Sequence, residues 1–501
     1  MILRLTRFAR RLLVGGLYSA CGAVVTLLIV AVLYLETRPD LAVWHTADLD
    51  EEFTEISHVR RFADYLALEE RLFAQLHAQV YAKVPASERR LLNRYDRNSL
   101  SDPERWSPNW NRSFELTAAR PKVAVLLLHG MSDSPYSLRT LGQTLNAAGA
   151  TVLGMRLPGH GTAPSGLVEI TWQDMAAAVR LAMRHLATQS GGRPLYIVGY
   201  STGAALAVNY ALATLDDGAL PKVDGMVLLS PAIGVSPAAA FAVWQARLGR
   251  LLGLDKLAWT SILPEYDPYK YGSFAVNAGD VVYRLTQQIQ RRLDSLGGSG
   301  KLAGFPPLLA FSSVVDATVS APALVRNLFD RLPQGGHELV LFDINRMAEM
   351  EPLMTSDPAG AVKALLDNPV RPFALSVLTN ETAASRTLLV RSEGPGDSAL
   401  TEFPLRLAWP PDIYSLAHVA LPFAADDPIY GGQALREGAL IHLGKLALRG
   451  ERGVLQIPAA DMLRLRWNPF FPYVEGRVLA FTGLAGAERV SAEACRARGA
   501  C

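Results

Sequence analysis

The first pattern along the chain is a run of 24 residues without a charge, Leu12 to Leu35, preceded by Arg4, Arg7, Arg10 and Arg11. Wound as a helix it would be about 36 Å long, enough to cross a hydrocarbon core of about 30 Å with some tilt. Glu36, Asp40, Asp48, Asp50, Glu51, Glu52 and Glu55 follow it against the single Arg38. The asymmetry predicts a basic cytoplasmic flank at 1–11, a transmembrane anchor at 12–35 in a bacterial inner membrane, and a periplasmic remainder. A cleaved signal peptide would carry a shorter apolar core and a small-residue cleavage site, and none stands near Leu35. Next, Phe53, Ile56, Val59, Phe62, Leu66, Phe73, Leu76 and Val80 recur at spacings of mostly three or four, which predicts an amphipathic helix over 50–82. It would serve as a stalk or pack on the main domain, within a stalk and linker spanning 36–120 that ends in a loop rich in Pro, Trp and Asn (101–113).

From Lys122 the period changes to short apolar runs alternating with helical stretches. Strands are expected at VAVLLLHG (123–130), TVLGMRLPGHG, PLYIVGYSTG, GMVLLSPA, PLLAFSSVVD and ELVLFDIN. Between them, helices are expected at Ser137 to Ala148, Thr171 to Gln189 with Thr171 as N-cap, Ala204 to Thr214, and Ala321 to Leu332. Continuous apolar strands alternating with helices predict a mostly parallel sheet covered by helices on both faces. Two stretches interrupt the alternation. Residues 235–304, with helical segments at Phe241 to Leu254 and Val281 to Leu296, are expected to form a helical cap over the C-terminal edge of the sheet. Residues 345–412 form a second insertion, with strands at PFALSVLTN and RTLLVRSEG. The core would then comprise 121–234 and 305–344, completed by a C-terminal part over 413–501.

Composition narrows this picture without changing it. Of 501 residues half are apolar and 19% charged, which excludes global disorder, and a net charge of +2 gives no ground for a nucleic-acid partner. Three cysteines cannot build a disulfide framework or a metal cage. Cys21 lies in the apolar N-terminal run, while Cys495 and Cys501 either close a small loop or remain free thiols.

The chemistry concentrates in a few short motifs. Gly199-Tyr200-Ser201-Thr202-Gly203 stands between an apolar strand and an Ala-rich helix. A serine nucleophile needs such a sharp turn to lift its hydroxyl clear of the sheet, and the glycines admit close backbone approach. His129-Gly130-Met131 follows the first core strand, where a loop can offer a backbone donor to an oxyanion. His129 itself, and His160 in Leu157-Pro158-Gly159-His160-Gly161, read as loop-holding residues.

HGMSDSPYS, MRLPGHGTAP, GYSTG, the aspartate of SSVVDATVS and the histidine of SLAHVALPF together resemble the bacterial carboxylesterase, monoacylglycerol lipase and serine aminopeptidase branch of the α/β-hydrolases. The resemblance covers roughly residues 120–445 with two insertions. It implies an α/β-hydrolase fold, Ser201 as nucleophile, Asp316 as acid, His418 as base, Met131 and Thr202 as oxyanion donors, and no cofactor or metal. Asp316 agrees on its own terms, because it ends a strand at the edge where catalytic groups of a parallel sheet collect. For the base, chain order leaves His337, His418 and His442. His337 directly precedes a strand and should lie at the opposite edge, and His442 falls in an apparent helix (Glu437 to Leu448). His418 follows a Pro-Pro loop, although about seventy residues separate it from the preceding core strand where the family has a few.

The expected activity is hydrolysis of a carboxylic ester, with Phe241, Trp244, Leu248, Leu251, Leu252 and Trp259 offering cap surface to a lipid acyl chain. A peptidase or amidase of the same fold is the alternative, with Glu265 and Asp267 as candidates to hold a substrate ammonium. An idle hydrolase fold serving as an envelope scaffold is the third reading. Expected partners are therefore an ester substrate and the membrane.

Overall fold

The architecture was read from a computed structural model, which describes residues 2–234, 254–355, 357–368, 370–397, 399–433, 441–444 and 456–485. Among the described residues twelve strands run in chain order: β1 (Phe114–Leu116), β2 (Val123–Leu128), β3 (Ala150–Met155), β4 (Leu195–Tyr200), β5 (Gly225–Leu229), β6 (Trp259–Ser261), β7 (Phe274–Ala275), β8 (Leu308–Ser313), β9 (Glu338–Phe342), β10 (Ala374–Asn380), β11 (Thr387–Glu393) and β12 (Thr401–Ala408). Ten of them form one sheet in the order β1-β3-β2-β4-β5-β8-β9-β10-β11-β12, and β6 pairs β7 separately. Pairing is parallel from β3 through to β10 and antiparallel at both margins, where β1 joins β3 and β11 and β12 extend beyond β10.

Alternation along β2 shows why the parallel strands are apolar throughout. Ala124, Leu126 and Leu128 enter one core, with the helices Trp172–Ser190, Thr202–Thr214 and Val276–Gly298. Val123, Val125 and Leu127 enter the other, with Arg139–Ala147 and Phe471–Phe481. A strand buried on both faces has no polar side to show. Thr171 caps its helix as expected, its side chain and that of Asp174 exchanging hydrogen bonds with each other's amides.

Four expectations change. The helix expected over 50–82 begins only at Phe62 and ends at Gln79. Ile56, nominally on its apolar stripe, is 89% exposed, while Phe53 is buried and Glu52 turns toward the core, so residues 50–61 cannot keep a helical period. The helix that does form packs on the hydrolase through Phe62, Tyr65, Leu68, Leu72 and Phe73, not as a free stalk.

The second change concerns the cap. The expected segment Val281 to Leu296 lies within Val276–Gly298, whose Val281, Leu285, Ile289 and Leu293 are buried in the core against Thr202–Thr214. One apolar stripe serves a sheet-covering helix as well as a cap, so periodicity could not separate them. Among the described residues the strap 254–275, which includes β6 and β7, covers the site together with Phe423, Tyr430, Asp461, Arg464 and Arg466. Its expected partner helix, with Phe241, Trp244, Leu248, Leu251 and Leu252, lies outside the described residues, whereas Trp259 is buried.

Third, the insertion 345–412, expected to hold two strands, holds three. It adds β10, β11 and an unexpected β12 to the main sheet. Its ends meet: the Asn345 amide donates to Tyr414 O (2.8 Å) and its side chain to Ile413 O (2.9 Å).

Fourth, the apolar N-terminal run belongs to a helix, Ile2–Glu36, that also takes in the basic flank. Among the described residues no helix is long and apolar enough to cross a membrane, so the expected spanning segment is not supplied by this structure. The lower end of the helix is tied to the strap. Arg38 donates to Lys256 O (2.8 Å) and Thr260 O (3.2 Å), while Lys256 Nζ donates to Arg38 O (3.0 Å) and Asp40 Oδ1 (2.8 Å). Cys21 is free and exposed, and Cys495 and Cys501 lie outside the described residues.

Candidate active site

β4 delivers Tyr200 to the C-terminal edge of the sheet, and the chain turns at once into the helix Thr202–Thr214. Ser201 makes that turn with φ 52° and ψ −113°, a region that non-glycine residues rarely enter. The flanking glycines are required by space. A Cβ on Gly203 would stand 2.0 Å from Leu128 O, and one on Gly199 would stand 2.5 Å from Ala204 Cα. The Thr202 amide opens the helix, where the first N–H groups have no partner within the helix and the dipole favours negative charge.

Asp316 follows β8. Its Oδ1 accepts the amides of Thr318 (2.8 Å) and Val319 (2.9 Å), which leaves Oδ2 turned toward His418 Nδ1 at 2.8 Å. Burial works to raise this carboxyl. The His418 ring and the two amides outweigh it, so the group is held below the usual carboxylate range. An ionised carboxylate only accepts, so Nδ1 carries the ring proton and Nε2 is left to accept from Ser201 Oγ at 3.1 Å. The structure thus brings Ser201, His418 and Asp316 into one relay, and all three are buried. The closure of the insertion at Asn345 is what lets a histidine so far along the chain reach this edge.

The other histidines fall elsewhere. His129 Nε2 accepts from the Leu157 amide (3.0 Å), and its Nδ1 donates to Gly130 O (2.8 Å). His160 Nδ1 donates to Pro158 O (2.9 Å). Burial keeps both neutral, His160 at a pKa of about 4. His337 precedes β9 and lies buried beside Phe305, away from Ser201's edge. Most of the helix expected around His442 lies outside the described residues, and the described part, 441–444, is not helical.

Met131 sits on the loop after β2, beside Ser132 with φ 62°. Two strap residues hold this loop: the Tyr271 amide donates to Ser132 O (2.8 Å), and Lys270 Nζ donates to Asp133 Oδ2 (3.1 Å). Burial pushes the Asp133 carboxyl up, and the Lys270 ammonium works against it. Neither residue stood out in the sequence, where 137 positions separate them. Asp133, Tyr200, Lys270, Tyr271 and Val419, the residue after His418, line a cavity of about 140 Å³.

The two acids expected to bind an ammonium are engaged. Glu265 does not line the cavity; its carboxylate accepts the amides of Gly272 (3.0 Å) and Ser273 (2.9 Å). Asp267 does line it, but Oδ1 accepts from Tyr269 N, Lys270 N and the Tyr430 hydroxyl, and Oδ2 faces Arg466 at 3.7 Å. Among the described residues no group of His, Cys, Asp and Glu is arranged to hold a metal ion.

The mostly parallel sheet, with a serine at such a turn and a histidine and a carboxylate behind it, has the α/β-hydrolase fold. Residues 119–344, less than half of the chain, match the family model "Hydrolase_4: Serine aminopeptidase, S33". The match contains Ser201 and Asp316 and stops short of His418. Over 174 residues the chain is 27% identical to a thermostable monoacylglycerol lipase of Bacillus sp. (strain H-257), covering 35% of this chain and 66% of that protein, just under two thirds of the relative's length. Solved structures similar to this chain include one from a study of the metagenome-derived lipolytic enzymes LipS and LipT (22% identity, TM-score 0.36, 47% of this chain and 87% of that one). Another is a monoacylglycerol lipase of Paleococcus ferrophilus (22% identity, TM-score 0.35, 46% and 88%).

Proposed function

We propose that this chain hydrolyses carboxylic esters through an acyl-enzyme formed on Ser201. The observation that carries this reading is one imidazole ring held between Asp316 and Ser201, at 2.8 and 3.1 Å. As Ser201 Oγ attacks the ester carbonyl carbon, His418 Nε2 takes its proton, and Asp316 stabilises the imidazolium. The carbonyl oxygen becomes an oxyanion facing the amides of Met131 and Thr202. Collapse expels the alcohol, which receives the proton from His418. Water, deprotonated by the same ring, then releases the acid and restores Ser201.

Fluorophosphonate labelling of wild type, Ser201→Ala and His418→Ala, alongside p-nitrophenyl esters of graded chain length, tests the reading. Labelling and turnover should appear in wild type and vanish in both variants. Folded wild type that never labels would leave a scaffold role, and aminoacyl-naphthylamides cleaved as fast as esters would make it an amidase.

The same proposal places the enzyme at a membrane, held by Ile2–Glu36, with the hydrolase on the periplasmic face. Supporting it are the 24 uncharged residues of Leu12–Leu35 and the exposure of Leu13, Leu17, Val25, Ile29, Val30 and Leu33 along the helix. Release of the full chain from membranes by alkaline carbonate would overturn this part alone.

A further inference from the structure

We infer that Lys270 is a positioning residue for the oxyanion site, acting through Asp133 on the loop that carries the Met131 amide; the inference rests on the ester-hydrolase reading above. The loop has an unusual construction. Ser132 holds a positive φ of 62°, a conformation that persists in a serine only where its surroundings over-determine it. Among the described residues no helix or strand hydrogen-bonds to Ser132 or Asp133. The residues that hold Ser132 and Asp133 from outside the loop are consecutive in the strap: the Tyr271 amide on Ser132 O, and the Lys270 ammonium on Asp133 Oδ2.

Asp133 in turn folds back over the loop's own glycine. A Cβ on Gly130 would come within 3.1 Å of Asp133 Oδ2 and 2.9 Å of the Tyr200 ring. The carboxylate therefore fills the space beside Gly130, between it and Lys270, one residue upstream of Met131. Asp133 is almost wholly buried, while the Lys270 side chain is 29% exposed. Removing the ammonium leaves a buried carboxylate without its charge partner, and the loop must move to solvate it.

The strap can bear this load because it is itself fixed. The Glu265 carboxylate accepts the amides of Gly272 and Ser273, Ser273 Oγ donates to Leu263 O (3.0 Å), and the Tyr271 hydroxyl accepts the Thr162 amide (2.8 Å). A rotation of the Met131 amide that leaves the ester's binding surfaces in place weakens the transition state more than the ground state, so it appears in kcat.

The experiment measures kcat and KM for p-nitrophenyl butyrate with Lys270→Met, Asp133→Ala, the double variant and Lys270→Arg, each normalised to folded sites by fluorophosphonate titration. Loss of one oxyanion donor costs about 10²–10³-fold in kcat, and misplacing it should cost about tenfold. Each single variant should lose about tenfold in kcat with KM within about twofold, and the double variant no more than either single. Lys270→Arg should return to within about threefold of wild type. Wild-type kcat in Lys270→Met, a rise confined to KM, or losses that multiply in the double variant would each overturn the inference. Should Lys270→Met not fold, Asp133→Ala and Lys270→Arg carry the decision by the same criteria. Wild type that labels but shows this overturning pattern spares the ester-hydrolase reading, whereas wild type with no hydrolysis takes down both.

Discussion

The parallel part of the sheet and its antiparallel extension share one hydrogen-bonded ladder but are held by different means. Every residue of β2, β3 and β8 is buried, and their side chains feed two cores. β12 is exposed along most of its length and is attached by backbone pairing, by the half-buried Leu405 and Leu407 and by surface contacts such as Arg391–Glu402, while a buried pair, Arg371–Glu393, joins the segment before β10 to the end of β11. Ser201 and Asp316 leave strands of the rigid part. His418 arrives only after the chain has traversed the looser one. Precision at the site therefore does not require that everything between its members be rigid, provided the excursion is closed where it leaves the core.

The largest test of that contrast is functional. His418→Ala should lower kcat/KM for an activated ester by about 10⁴-fold or more, as loss of a triad base does, while His442→Ala in the same late region should leave it within about twofold. Equal losses would mean that the late region acts as a whole and not through one ring. Next in size is stability in the parallel part: Leu126→Ala, at a wholly buried position, should cost about 3 kcal/mol in urea unfolding.

The third test uses pH. His45 and His160 are kept neutral by burial, with folded pKa values of about 4 against an ordinary 6.5. Between these values the unfolded chain binds more protons than the folded one. Stability is thus fully present above about pH 6.5 and is lost as pH falls toward 4, by about 2 kcal/mol for each ring at pH 5. Unfolding at pH 7 and pH 5 should show that loss, reduced by one ring's share in His45→Phe. Smallest of all, Phe403→Ala on exposed β12 should change unfolding by less than about 0.5 kcal/mol. A loss near that of Leu126→Ala would erase the distinction between the two parts.

What the sequence disclosed follows the same division. Continuous apolar runs marked each parallel strand because burial on both faces leaves only apolar positions. Gly199 and Gly203 marked the turn because no Cβ fits there. The insertion's first two strands were legible, being mostly buried, while β12 has only a short alternation of Phe403, Leu405 and Leu407, which Pro404 interrupts as a strand signal. Long-range polar contacts were illegible for a different reason. Arg156, in the loop after β3, is wholly buried by Glu52 (2.9 Å) and Glu69 (3.1 Å), from 104 and 87 positions away. That clamp turns Glu52 inward and delays the helix start to Phe62, yet each of the three reads in sequence as an ordinary surface charge. Lys270 and Asp133 are hidden in the same way.

The hydrogen bonds from Asn345 to Ile413 and Tyr414 have a consequence for how such a chain can change. They make the excursion between them a closed cassette, fixing the distance the backbone must travel from β9 to His418 whatever is threaded in between. Growth or replacement of material at the exposed residues 395–397, between β11 and β12, adds only modest loop entropy, and it does so at the edge of the sheet opposite the stitch. The same position is therefore the natural splice point for a reporter or a capture tag, carried outward on the hairpin while the relay at the sheet edge keeps its register.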